Sequence, residues 1–180
     1  MTKRAIGALA LLLVAGAIFV GFRTSEKQEQ KDNVIISLVT DGLSNLHFKP
    51  KPLNDALSEN ILKEYLTNLD RNKLFLIDAD VKQMEAYKHL LDDEFKNGSS
   101  EFFDLSYTLL LNGKNRAEGF YKEILANPLD FNREESTWNN PEKQEWAKNE
   151  KELRDYWRKY IKWRVANRIY NKEHAFLEDV

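Results

Sequence analysis

Cysteine is absent from the chain. Its absence excludes disulfide staples, a cysteine nucleophile and a lipidated N-terminal cysteine, so the fold must rest on its apolar core. Proline and glycine are scarce, at four and seven, and Gly7, Gly16 and Gly21 all fall in the first 22 residues. So few breakers favour long helices over many tight hairpins. Histidine is equally sparse: His47, His89 and His174 stand apart, with no HExxH or other paired spacing. There is no G-x-S-x-G nucleophile elbow, and the four glycines beyond residue 22 are isolated, which leaves no phosphate-binding loop. Nor is there a basic surplus. Without Lys3, Arg4 and Arg23, the 27 basic residues fall to 24 against 29 acidic ones. The resulting net charge of −5 argues against nucleic acid as the main partner. No cofactor and no metal are expected. With 31% charged and 42% hydrophobic residues, the 180-residue chain suits one folded domain around one core.

One long hydrophobic run is present. Lys3 and Arg4 precede 18 apolar residues, Ala5 to Phe22. A basic n-region before an apolar h-region is the pattern of an export signal, and the run is near the length that spans a bilayer. Ala15-Gly16-Ala17 offers a cleavage site, yet apolar residues continue past it. A cleaved signal peptide and an uncleaved signal anchor over residues 1–23 both fit. Either way the remainder is expected to be exported to the periplasm, with the basic end left inside. Residues 24–32 are wholly polar and read as a tether.

Beyond the tether the period is helical. Asn33 is positioned to cap a helix with Ile35, Val39, Leu43 and Leu46 on one face. Two prolines in His47–Pro52 break it. Asn54 or Asp55 starts a second helix, with Leu57, Ile61, Tyr65, Leu66 and Leu69 expected inward. A third is expected from about Ala79 to Lys96, with a stripe of Val81, Met84, Tyr87, Leu91 and Phe95, ended by Asn97-Gly98. Ser99 or Ser100 caps a long helix from Glu101 to about Ala126, with Phe103, Tyr107, Leu110, Phe120, Tyr121 and Leu125 inward. Asn112-Gly113 in its middle is expected to bend or split it. Residues 130–145 read as a loop with room for a short helix. The last helix is expected from about Asn149 to Tyr170, with a stripe of Leu153, Trp157, Tyr160, Ile161 and Val165. The fold class is all-α: an irregular bundle of five or six helices preceded by the hydrophobic signal or anchor helix.

Carboxylates concentrate in Leu69–Asp80, LDRNKLFLIDAD. As a calcium loop it fails, because Leu74 stands at position 5, Phe75 at the position of the turn glycine and Val81 at that of the bidentate glutamate. Asp78 and Asp80 precede a helical run, where carboxylates accept orphan backbone N–H groups. Asp80-Val81-Lys82-Gln83 has capping-box spacing. Helix capping outweighs acid–base catalysis for this pair. Asp92-Asp93-Glu94 reads as a solvated face. From Lys143 to Lys172, ten basic and four acidic residues interleave with Trp146, Tyr156, Trp157, Tyr160, Trp163 and Tyr170. That mixture could meet lipid headgroups or single-stranded nucleic acid. Helical spacing of the aromatics favours core or interface instead.

Four segments, taken in order, carry a resemblance. They are Pro52–Ser58 followed by Tyr65-Leu66; Leu69-Asp70, Phe75-Leu76 and Asp80-Val81; Asn127–Phe131; and Leu153–Lys162. Over about residues 35–170 the chain resembles the N-terminal helical domain of tail-specific proteases, the carboxy-terminal processing enzymes of peptidase family S41. The structural signature residues so implied are Leu69, Asp70, Phe75, Leu76, Asp80, Pro128, Asp130, Phe131, Leu153, Trp157 and Lys162. The resemblance implies an exported serine endopeptidase in which a PDZ domain engages an apolar C-terminal tail and a Ser/Lys dyad cuts the chain. The helical domain would be a non-catalytic platform for the PDZ and protease domains, an adaptor lipoprotein and substrate. An uncleaved run at residues 5–22 would add the inner membrane. Residues 173–180 would begin the link to a PDZ and protease region that this sequence does not contain, so no catalytic residue is expected. A fragment, a truncated product and a deliberate domain boundary all fit. The alternative is a free-standing exported helical module that regulates a protease or its adaptor.

Overall fold

The computed structural model describes residues 31–137 and 143–178, in which six helical elements and no strand occur. Residues 31–41 are helical and run directly into a π-helical turn, Gly42–Leu46; together they form α1. The others are α2 (Asp55–Leu69), α3 (Asp78–Glu85), α4 (Leu91–Asn97), α5 (Glu101–Leu125) and α6 (Glu150–Glu178). The all-α expectation therefore holds. The signal or anchor of residues 1–23 and most of the tether lie outside the described residues. No helix among the described residues is long and apolar enough to cross a membrane.

Local chemistry sets the starts and stops. Asn54 caps α2 by accepting the Leu57 N–H at 3.1 Å. Asn149 Oδ1 caps α6 through the Glu152 N–H at 3.0 Å, and Glu152 reaches back to the Lys148 N–H at 2.8 Å. Gly98 ends α4 in the left-handed conformation, φ 67°. The start of α5 is capped twice: Ser99 Oγ accepts the Glu101 N–H at 3.4 Å, while Ser100 makes no such bond, and a second cap comes from outside. There the Glu94 carboxylate of α4 accepts the Phe102 N–H at 3.1 Å.

The core gathers Leu62 of α2, Leu76 of the α2–α3 loop, Val81 and Met84 of α3, Leu91 of α4, and Phe102 and Leu109 of α5. Tyr65 and Tyr87 meet Phe102 with ring centroids at 5.1 and 5.6 Å. α2 packs on α4, α3 on α5, and α5 on α6. One parallel bridge, Ile77 to Ala147, ties the α2–α3 loop to the segment before α6.

Several expectations are corrected. The first helix already includes residues 31 and 32, so Asn33 is internal rather than its cap. Its apolar residues do not face the core: Ile35, Val39, Leu43 and Leu46 are all exposed, Leu46 at 85%. The expected third helix is two, α3 and α4. The Asp92 N–H, which would continue a helix, is taken by Ser58 Oγ at 2.8 Å, and i→i−3 turns bridge the gap at Tyr87, Lys88 and Leu90. On α2 the fully buried positions are Ser58 and Leu62, with the expected stripe at their flanks. On α5 the buried face is shifted by about one residue, to Phe102, Ser106, Leu109, Gly113, Ala117 and Ile124, while Phe103, Tyr107, Tyr121 and Leu125 are exposed. α5 is unbroken at Gly113. α6 runs to Glu178, eight residues past its expected end.

Candidate functional site at the loop between α2 and α3

Asp70 ends α2 with its carboxylate buried. Oδ1 accepts the Leu74 N–H at 3.0 Å, and Oδ2 accepts those of Phe75 and Leu76 at 2.8 and 2.9 Å. Burial pushes the carboxyl above its ordinary value, while the three N–H groups pull it down. Lys73, at φ 52°, makes the left-handed turn that folds the backbone around this carboxylate. Asp70 thus holds its own loop shut, with no oxygen turned toward a ligand. Leu74 and Leu76 point into the interior, at 7% and 0% exposure.

The carbonyls of that loop are gripped from two helices. Phe75 O lies against α5 where residue 113 is glycine; a Cβ there would stand 2.5 Å from it. One turn on, Arg116 Nη2 donates to Phe75 O at 3.1 Å and pairs with Asp80 Oδ2. Asp80, at the third position of α3, also accepts the Ile77 N–H at 3.1 Å. This is half a capping box: Ile77 has no acceptor to return the bond, and Gln83 binds Ala79 O instead of reaching back. From α6, the Trp157 indole Nε1 donates to Leu74 O at 2.6 Å, and its ring meets Phe75 edge-on at 6.1 Å.

The signature residues therefore divide. Asp70, Phe75, Asp80 and Trp157 form one contact network, with Leu76 and Leu153 fully buried and Leu69 half-buried at the core. Lys162 belongs to a second one. Its Nζ donates to Arg133 O at 2.6 Å and meets Glu135 Oε2 at 3.0 Å, beside the Arg158–Glu135 pair. Arg158 first, then Lys162, hold the Glu135 carboxyl down at about 2. Pro128, Asp130 and Phe131 are exposed on the loop that leads there, outside both networks; Asp130 only closes a turn onto the Asn132 N–H at 3.0 Å. Sequence reasoning missed Arg116, Glu135 and Ser58. For Arg116, the available signal was its place one turn after Gly113 on a helix.

Neither network is arranged for catalysis. Asp78 pairs with Lys82 on an exposed face. Ser58, Asp92 and Lys96 look superficially like a nucleophile set, with Ser58 Oγ to Asp92 Oδ1 at 2.6 Å and Lys96 to Asp92 at 2.6 Å. Ser58 is fully buried, however, and its oxygen also accepts the Asp92 N–H, so no substrate can reach it.

A family model described as the tail specific protease N-terminal domain matches residues 39–179, well over half of the chain. The chain belongs to this family.

In this tail-specific protease N-terminal domain, the matched span takes in both networks and everything from the end of α1 to the end of α6. An open groove of about 1640 Å³ runs beside α2, with Leu66 and Trp146 among its lining. Its rim mixes Lys63, Arg71 and Lys88 with Glu59 and Glu85, and so favours no one sign of ligand. Apolar residues are more exposed elsewhere: on α1, and on the free half of α6 at Trp163, Ile169 and Tyr170.

Proposed function

We propose that the chain serves as the non-catalytic scaffold of an exported tail-specific serine endopeptidase, a platform on which the PDZ and protease domains, an adaptor or substrate dock. The observation that carries this reading is the form of α6. Its first turns are fixed to the body through Leu153 and Trp157, and its later turns present Trp163, Ile169 and Tyr170 at 44%, 49% and 58% exposure. Aromatic and aliphatic groups on a helix this well anchored suit a rigid apolar contact, the kind that forms the centre of a protein interface. Eight of the eleven signature residues act in this reading as structure, all but the exposed Pro128, Asp130 and Phe131: they lock the loop after α2 and the loop before α6 onto the helices that display the platform.

The test has two arms. The purified chain should leave casein and peptides with apolar tails uncut; serine-type cleavage that survives repurification would overturn the non-catalytic reading. Added to a separately expressed PDZ–protease portion of a tail-specific protease, the chain should bind, and Trp163→Ser with Ile169→Asp should weaken binding at least about tenfold, as expected for loss of interface anchors. Equal binding by the double variant would remove α6 as the platform.

A further inference from the structure

α1 faces the wrong way for a helix of a self-contained bundle. Apart from a half-buried Ile36, its polar side turns to the protein: Thr40 Oγ1 donates to Phe95 O at 3.4 Å, and Ser37 and Asn33 lie against Gly98. Its apolar side turns out, with Val34, Ile35, Leu38, Val39, Leu43 and Leu46 between 51% and 85% exposed, and Phe48 just beyond it fully exposed. Six large apolar side chains on four turns form a continuous patch, which water-exposed helices rarely carry.

The sequence around α1 says what covers it. The apolar run ends at Phe22 and the helix is under way by residue 31, so nine peptide units separate them. Fully extended, they reach at most about 30 Å. A run of that length retained in a bilayer therefore holds α1 at the membrane surface. The charge also fits. Between residues 33 and 54 the only carboxylate is Asp41, against Lys49 and Lys51, in a chain whose remainder beyond residue 23 is acidic. Both lysines are exposed in the loop just past the end of α1, where they can reach anionic headgroups beside the apolar face.

We propose that α1 is an interfacial helix: its Val34–Leu46 apolar face lies in the headgroup layer of the bilayer that residues 5–22 enter, and so fixes the orientation of the whole domain on the membrane. The helix has the length and the one-sided apolar face such binding requires. The inference rests on residues 5–22 being a retained anchor and is independent of whether α6 docks a catalytic partner.

The chain has no cysteine, so one introduced residue reports alone. Leu38→Cys, at a position 66% exposed, carries an environment-sensitive fluorophore on the full chain, reconstituted in nanodiscs of phosphatidylethanolamine and phosphatidylglycerol. Circular dichroism checks that the helices are retained. The proposal expects a blue-shifted emission that loses most of its intensity when the lipids carry a spin label near the headgroup. A water-like emission would overturn it. So would a blue shift without lipid quenching, which means that protein, such as a second copy of the chain, covers the face.

Discussion

One methyl group on Gly113 would collide with the backbone of another element, since a Cβ there stands 2.5 Å from Phe75 O and 2.9 Å from its carbonyl carbon. Alanine is the better helix former by about 1 kcal/mol, so propensity alone favours the replacement. The clash opposes it, because moving Phe75 also loosens the Arg116 and Trp157 bonds to the loop. We expect Gly113→Ala to lower stability by about 1–3 kcal/mol in chemical denaturation. Gly119→Ala, where nothing lies within 4 Å of the added carbon, should raise it by about 0.5–1 kcal/mol. If both variants gain stability, the close approach is not a constraint. The contrast also marks what a sequence reveals of single residues. That the Asp80 carboxylate serves a backbone N–H group was legible, because acceptors next to a helix start have few other uses; that Asp70, at the end of α2, binds three of them was not. That Gly113 is a contact and not a bend was not legible, because its partner lies 38 positions away along the chain and only the fold brings it near.

At the scale of elements, helix existence was legible and helix phase was not. The faces of α2 and α5 are rotated from the expected ones because small residues, Ser58, Ser106 and Gly113, sit at the tightest contacts. A hydrophobic pattern weights large residues, so it pulls the inferred face toward Tyr107 and Phe103 and away from the serines. The break between α3 and α4 has the same origin, since Ser58 Oγ and Asp92 exchange two bonds inside the core. Removing the hydroxyl leaves the Asp92 N–H without its partner and the carboxylate with Lys96 alone, so Ser58→Ala should cost about 1–3 kcal/mol, more than alanine costs at an exposed serine. A cost below that of an exposed serine, measured by urea unfolding, would refute this. The tie between the 133–135 segment and α6 predicts a pH dependence. In the folded chain Glu135 titrates at about 2, well below its ordinary 4.5, chiefly because Arg158 donates to it. A depressed folded value means that the ionised form stabilises. The contribution is complete above about 4.5 and is lost as the pH falls through about 2. Glu135→Gln should therefore cost about 1 kcal/mol at pH 7, a modest figure because such pairs compete with water, and the gap from the parent should close on acidification toward pH 2. A gap that stays constant with pH would show that the charge is not the cause.

At the scale of the whole molecule, the family was legible in order and spacing, because most of its signature residues carry contacts between elements and the fold cannot easily exchange them. What covers the outside was not legible: the apolar residues of α1 share one helical face, and a sequence pattern reports that a face is apolar and not what it meets. Two such faces, on α1 and on the free half of α6, leave the domain with more exposed apolar surface than a monomeric protein usually carries. In the absence of both bilayer and catalytic domains, these faces should find each other. Residues 24–180, which lack the apolar run, are expected to self-associate, with a weight-average mass by light scattering that rises with concentration. Leu38→Asp and Trp163→Ser place polar groups on one face each, at positions 66% and 44% exposed, where folding should tolerate them. Each should lower the association, and the pair together should lower it further if the two faces act separately. If only Leu38→Asp has an effect, α1 is the adhesive surface and α6 is covered well enough by its own polar neighbours. A monodisperse monomer at high concentration for the unsubstituted domain would mean that neither face is sticky in water, and would count against reading them as surfaces that expect a partner.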